Sequence, residues 1–108
     1  MIKVTIKETD CIEKIEIKGH ANYSEYGSDI VCASVSSMCI TTVNAIIKID
    51  NNAIEYKEDE GYLLINIKKH SDTVDKLINN LIDLLEELKS NYQKYIEIRR
   101  CHLWNWCN

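Results

Sequence analysis

His20 and Cys32 stand on either side of a short polar loop in GHANYSEYGSDIVCASVS, residues 19–36. A cysteine attacks as its thiolate, and an ordinary thiol, with a pKa of about 8.5, is mostly protonated at neutral pH. The first turn of a helix and a neighbouring imidazolium each lower that value. With Asp29 as N-cap, Cys32 is the third helical residue, inside the first turn. His20 lies twelve residues earlier, across a loop that can fold back. A Cys–His pair within hydrogen-bond reach is an activated nucleophile. Ser36 is one helical turn beyond Cys32 on the same face. Asp29 can cap the helix or orient His20. Backbone N–H groups near residues 31–33 can form part of an oxyanion hole. Gly19 and Gly27 bracket residues 20–26 as hinges, so the loop carrying His20 can close when substrate is bound. A plainer reading uses the same residues: a free cysteine usually packs into a core, and Gly-His after a strand can be only a turn.

Other chemistry-bearing residues support bland readings. Cys39, about two turns after Cys32, reads as a core thiol. Cys11 falls in a turn, and His70 precedes a helix cap as a surface histidine. Cys101, His102 and Cys107 suggest soft ligands, but their spacing lacks the repeated pairs of a structural zinc site. The expectation is therefore no metal and no cofactor. A redox or metal sensor centred on Cys101 and Cys107 is the weakest alternative. Trp104 and Trp106 read as residues that bury against the domain or a dimer partner. Glu55, Glu58, Asp59 and Glu60 read as a solvated acidic hairpin that can attract a basic substrate tail.

The elements that must position these residues follow from patterning. Residues 2–8 and 12–18 alternate apolar and polar, giving two strands of a hairpin. Residues 29–49 fit a largely buried helix with Ile30, Ser34, Val35, Met38, Thr42, Ala45, Ile46 and Ile49 near one stripe. Residues 53–58 and 62–68 read as a second hairpin around Asp59, Glu60 and Gly61. Residues 72–91 form an amphipathic helix with Val74, Leu77, Ile78, Leu81, Ile82, Leu85 and Leu88 on its apolar face, capped by Ser71 or Asp72. Residues 95–100 make a last strand. The order ββαββαβ predicts an α/β fold of the α+β type: one sheet of about five strands with two helices packed on it.

The chain has 108 residues, 45% of them hydrophobic and 28% charged, and a net charge of −4. One domain of this size can bury a core without disulfide or metal staples. The acidic balance argues against a protein held by nucleic-acid phosphates. Charge at Lys3, Lys7 and Glu8 interrupts any signal-like apolar run, and no apolar run approaches the roughly 18 residues of a membrane span. A cytoplasmic protein with no membrane partner is expected, its five cysteines mostly free thiols.

The joined motif GHA, then YG-x-DIVCA-x-VS, resembles the ribosomal-processing cysteine protease (Prp) family. The matching residues are Gly19, His20, Ala21, Tyr26, Gly27, Asp29, Ile30, Val31, Cys32, Ala33 and Ser36. The likeness continues through Val43, Asn44, Ala45, Ile46 and Ile47 and reaches Arg99. It implies a Prp-like protease domain over residues 1–100 and leaves residues 101–108, CHLWNWCN, as a tail of no assigned role. The resemblance implies a small, dimeric α/β domain with Cys32 as nucleophile and His20 as general base. Asp29 and Ser36 would support them, with Gly19 as hinge. It implies a cysteine endopeptidase that removes the N-terminal extension of large-subunit ribosomal protein twenty-seven, cutting after an aromatic pair. The alternative is a non-catalytic peptide-binding or ribosome-assembly module using the same groove.

Overall fold

The alternating segments form strands and the periodic segments form helices, so that apolar side chains collect on one side of a sheet. The computed structural model describes residues 1–19 and 26–102, with only the backbone described for residues 26–29. The strands are β1 (Ile2–Glu8), β2 (Ile12–Lys18), β3 (Ile54–Asp59), β4 (Tyr62–Ile67) and β5 (Ile96–His102); the helices are α1 (Tyr26–Ile49) and α2 (Asp72–Asn91). The sheet order is β3-β4-β2-β1-β5. Adjacent strands are antiparallel except β1 and β5, which run parallel from Ile2 beside Ile96 to Glu8 beside His102. The expected ββαββαβ order and α+β class are what the chain adopts.

Register explains the core. Val4 faces Ile17, which faces Leu63, and Ile6 faces Ile15, which faces Ile65. These rows lie on one face, since side chains alternate along each strand. All six are buried. Over them lie Val31, Val35, Cys39, Val43 and Ile46 of α1 and Val74, Ile78, Leu81, Ile82 and Leu85 of α2, all buried.

Two boundaries differ from expectation. Helix α1 begins at Tyr26 rather than beside Asp29. Strand β5 runs on through Cys101 and His102, so the first two residues of the expected tail belong to the sheet. Helix α1 also corrects the membrane reading: by length and composition Ile30–Ile49 is long and apolar enough to cross a membrane. Its small and hydroxylic residues, among them Ala33, Ser34, Ser36, Ser37, Thr41 and Thr42, disguise that length of apolar chain in a scan for unbroken runs. A core helix passes the same test, and α1 packs against α2 and β3. Finally, Cys101 is disulfide-bonded, unlike the free thiols of Cys11, Cys32 and Cys39.

Candidate active-site cleft

The start of β1, the end of β2 and the β3–β4 turn meet the first turns of α1 around a cleft of about 200 Å³. Its lining includes Gly19, Cys32, Ser36, Glu58, Asp59 and Tyr62. Cys32 and Ser36 are half-buried. Their spacing of one turn brings both to the same face, as the helical period requires. The buried residues Val31 and Val35 anchor that stretch of α1 to the sheet and so fix where Cys32 stands.

Gly19 closes one side. Its φ is +94°, in the region that L side chains avoid. Its N–H donates to the Gly61 carbonyl at 3.1 Å. A Cβ at this position would stand 2.5 Å from the Met1 carbonyl oxygen. Backbone from three segments therefore converges here with no room for a side chain. Opposite, Glu58 and Asp59 bring carboxylates to the rim. Tyr62 also lines the cleft, while its hydroxyl donates to Glu16 at 2.8 Å.

Of the residues singled out from sequence, Gly19, Cys32 and Ser36 come together at this cleft. His20 lies outside the described residues, as do residues 21–25 and the tail residues Trp104, Trp106 and Cys107. The early start of α1 changes two expectations. Cys32 is the seventh helical residue, not the third, and Asp29 is the fourth rather than the N-cap. In an α-helix only the first few N–H groups are free, and those of residues 31–33 point back to carbonyls four residues earlier. They are not oxyanion donors. Gly27 is the second residue of α1, so the loop after Gly19 is shorter than the glycine spacing suggested.

A described Cys–His neighbourhood lies at the other end of the sheet, where no sequence pattern marked it. The Sγ of Cys11, a ring nitrogen of His70 and a carboxylate oxygen of Asp75 all lie within 4.8 Å of one another. Both ring nitrogens of His70 meet carboxylates: Nδ1 meets Asp75 Oδ1 at 2.8 Å and Nε2 meets Glu13 Oε1 at 2.7 Å. The hydrogen bond with Asp75 leads in raising the imidazole's pKa, with Glu13 adding to it. Desolvation, then the charge of Asp75, pushes the Cys11 thiol up. That suppresses the thiolate, the reverse of what a nucleophile needs. No signal of period or spacing joins Cys11 to His70. Only the β2–β4 pairing, which brings Lys14 beside Asn66, places the β1–β2 turn near the start of α2.

The α+β fold and a cysteine-lined cleft beneath a long helix define a small thiol-bearing domain. The chain belongs to the cysteine protease Prp family, whose family model matches residues 1–97. It is 30% identical over 107 residues to the ribosomal processing cysteine protease Prp of Bacillus subtilis, covering 91% of this chain and 96% of that relative. Its backbone superposes on the essential ribosomal processing protease Prp of S. aureus in complex with a substrate peptide, with a TM-score of 0.85, 26% identity and coverage of 94% and 100%. The S. aureus protease with a covalently linked product peptide gives a TM-score of 0.82 and 27% identity at the same coverage.

Proposed function

We propose that this chain is a cysteine endopeptidase that removes the N-terminal extension of large-subunit ribosomal protein twenty-seven during ribosome maturation, with Cys32 as nucleophile and His20 as base. The observation that carries the reading is the cleft shared by Cys32 and Gly19. The residue following Gly19 in the chain is His20, which is why the histidine is assigned to this cleft. The S. aureus structures with substrate and covalently linked product peptides support the same chemistry for a relative.

The steps follow from ordinary acyl transfer. His20 takes the thiol proton, and the Cys32 sulfur attacks the scissile carbonyl carbon. The tetrahedral oxyanion collapses, the C–N bond breaks, and His20 returns the proton to the leaving amine. Water, deprotonated by His20, then attacks the thioester and releases the acid, restoring the thiol. With the 31–33 amides committed to the helix, the Ser36 hydroxyl is the described cleft-lining donor suited to the oxyanion. Asp29 serves as the other supporting polar residue. In the same reading the enzyme is a cytoplasmic homodimer whose partner is the ribosomal-protein peptide. Its cleavage chemistry uses no cofactor, and it has no direct nucleic-acid or membrane partner.

The test uses a peptide spanning the extension and the new N-terminus of the host's own ribosomal protein. It is incubated with wild type, Cys32→Ala and His20→Ala, and the products are read by mass spectrometry. One cut after the aromatic pair, lost in both variants, is expected. Tight binding of the peptide without a cut by wild type would replace this reading with the non-catalytic binding module.

A further inference from the structure

Between the β1–β2 turn and the start of α2, three side chains present one sulfur, one nitrogen and one oxygen to a common point. The donor atoms of Cys11, His70 and Asp75 lie within 4.8 Å of one another. In a tetrahedral zinc shell, with Zn–S about 2.3 Å and Zn–N or Zn–O about 2.0–2.2 Å, ligand atoms stand roughly 3.2–3.8 Å apart. The Cys11 Sγ to Asp75 Oδ2 distance is 3.8 Å. The His70 Nδ1 to Asp75 Oδ1 distance of 2.8 Å is that of a shared proton, and it opens by only about half an ångström to reach the shell.

A second, independent feature lies behind the histidine. His70 Nε2 meets Glu13 Oε1 at 2.7 Å, and the other oxygen of Glu13 accepts from Thr9 Oγ1 at 2.8 Å. Metal-bound histidines almost always donate their remaining N–H to a carboxylate or carbonyl that is itself held. Here that outer shell is already assembled, and it leaves Nδ1 facing Asp75, whose other carboxylate oxygen meets Cys11. The spacing of His70 and Asp75 is fixed by the Ser71 cap: Ser71 Oγ accepts from the Val74 N–H, and the Asp75 N–H donates to the Ser71 carbonyl.

We propose that Cys11, His70 and Asp75 form a three-ligand site for a divalent cation of the zinc class, with Glu13 positioning His70. A mixed sulfur, nitrogen and oxygen set suits such a borderline-soft ion rather than magnesium or calcium. Binding releases the Cys11 thiol proton and the His70 Nδ1 proton to solvent, and His70 keeps its Nε2 proton for Glu13. Thiolate and Asp75 carboxylate together balance the charge of the ion, and water completes the shell. The ion ties the β1–β2 turn to the first turn of α2.

Cobalt(II) added to the reduced full-length protein tests the site through a sulfur-to-cobalt charge-transfer band and the visible bands of four-coordinate cobalt. One equivalent is expected to bind, with the charge-transfer band retained in Cys32→Ser and lost in Cys11→Ser. Glu13→Gln is expected to weaken the affinity by about 10–100-fold. Circular dichroism establishes that each variant is folded. Should Cys11→Ser not fold, His70→Gln decides the matter through loss of the visible bands. No charge-transfer band in wild type overturns the site, as does a band that survives in Cys11→Ser or an affinity unchanged in His70→Gln.

Discussion

Adding one methyl group at Gly19 sets a Cβ 2.5 Å from the Met1 carbonyl oxygen and asks an L side chain to hold a φ of +94°. The obstructing atom belongs to backbone, so no side-chain rotation relieves the clash. Gly19→Ala is expected to lose about 1–3 kcal/mol of stability, read as a lower urea midpoint at unchanged slope. An unchanged midpoint would show that the converging backbone yields freely. Ser36 faces the cleft as the proposed oxyanion donor, so its effect belongs in the transition state rather than in binding. Ser36→Ala should lower kcat by about 10²–10³-fold with KM little changed. A rise in KM at constant kcat would make Ser36 a contact for the ground-state peptide instead. That Gly19, Cys32 and Ser36 lie near one another was legible because the joined motif carries them at fixed intervals. The tie between Gly19 and Met1 was not, since it depends on β1 lying beside β2.

Each helix was legible to a different depth. Polar residues interrupt α2 regularly, so its buried face matched expectation apart from Leu77, which is half-buried. The apolar residues of α1 surround the helix, leaving its pattern little preference for one face. The buried stripe is Val31, Val35, Cys39, Thr42, Val43 and Ile46, whereas Ile49, expected inside, is 54% exposed. Its start was misplaced for a related reason. Asp29 is a good cap by type, but Tyr26 and Gly27 carry no mark excluding them from a helix. At the opposite end of the sheet, His70 links two elements through Glu13 and Asp75, with Cys11 and Asp10 as the remaining groups nearby. Its folded-state pKa is raised above the ordinary 6.5, so its stabilisation is full below that value and lost as pH rises through the folded value. Glu13 is lowered from 4.5, chiefly by its bond with His70, so its contribution is lost as pH falls through its folded value. The link is strongest between those limits. Urea midpoints of wild type and His70→Gln, compared without metal, should differ most near pH 6 and converge as pH rises through the folded-state value of His70. A gap that is constant or widens with pH would mean that His70 acts there as a neutral ring.

For the molecule as a whole, the topology separates two free-thiol environments among the described residues and buries a third. β1 runs from the cleft at Ile2 to the Cys11 turn, about 20 Å for a strand of its length. Cys32 and the Cys11–His70 pair therefore cannot share one substrate bond, and the two thiols should react independently. Cys32 stands half-buried in an open cleft. Cys11 is half-buried too, but its raised pKa keeps less of it as thiolate. Cys39 is fully buried, with its pKa pushed up to about 12 by burial and then by Glu58. Reagent reaches it only when the core opens. Timed alkylation of the native protein, mapped by peptide mass spectrometry, should label Cys32 first, Cys11 more slowly, and Cys39 at a rate that rises with urea as unfolding does. Raising the pH toward the Cys11 thiol's own pKa should narrow the gap between the first two, because the thiolate is the reacting species. Preferential labelling of Cys11 at neutral pH would transfer the nucleophile's role to the pair with His70. Cys39 reacting as fast as Cys32 would mean that α1 does not stay seated on the sheet.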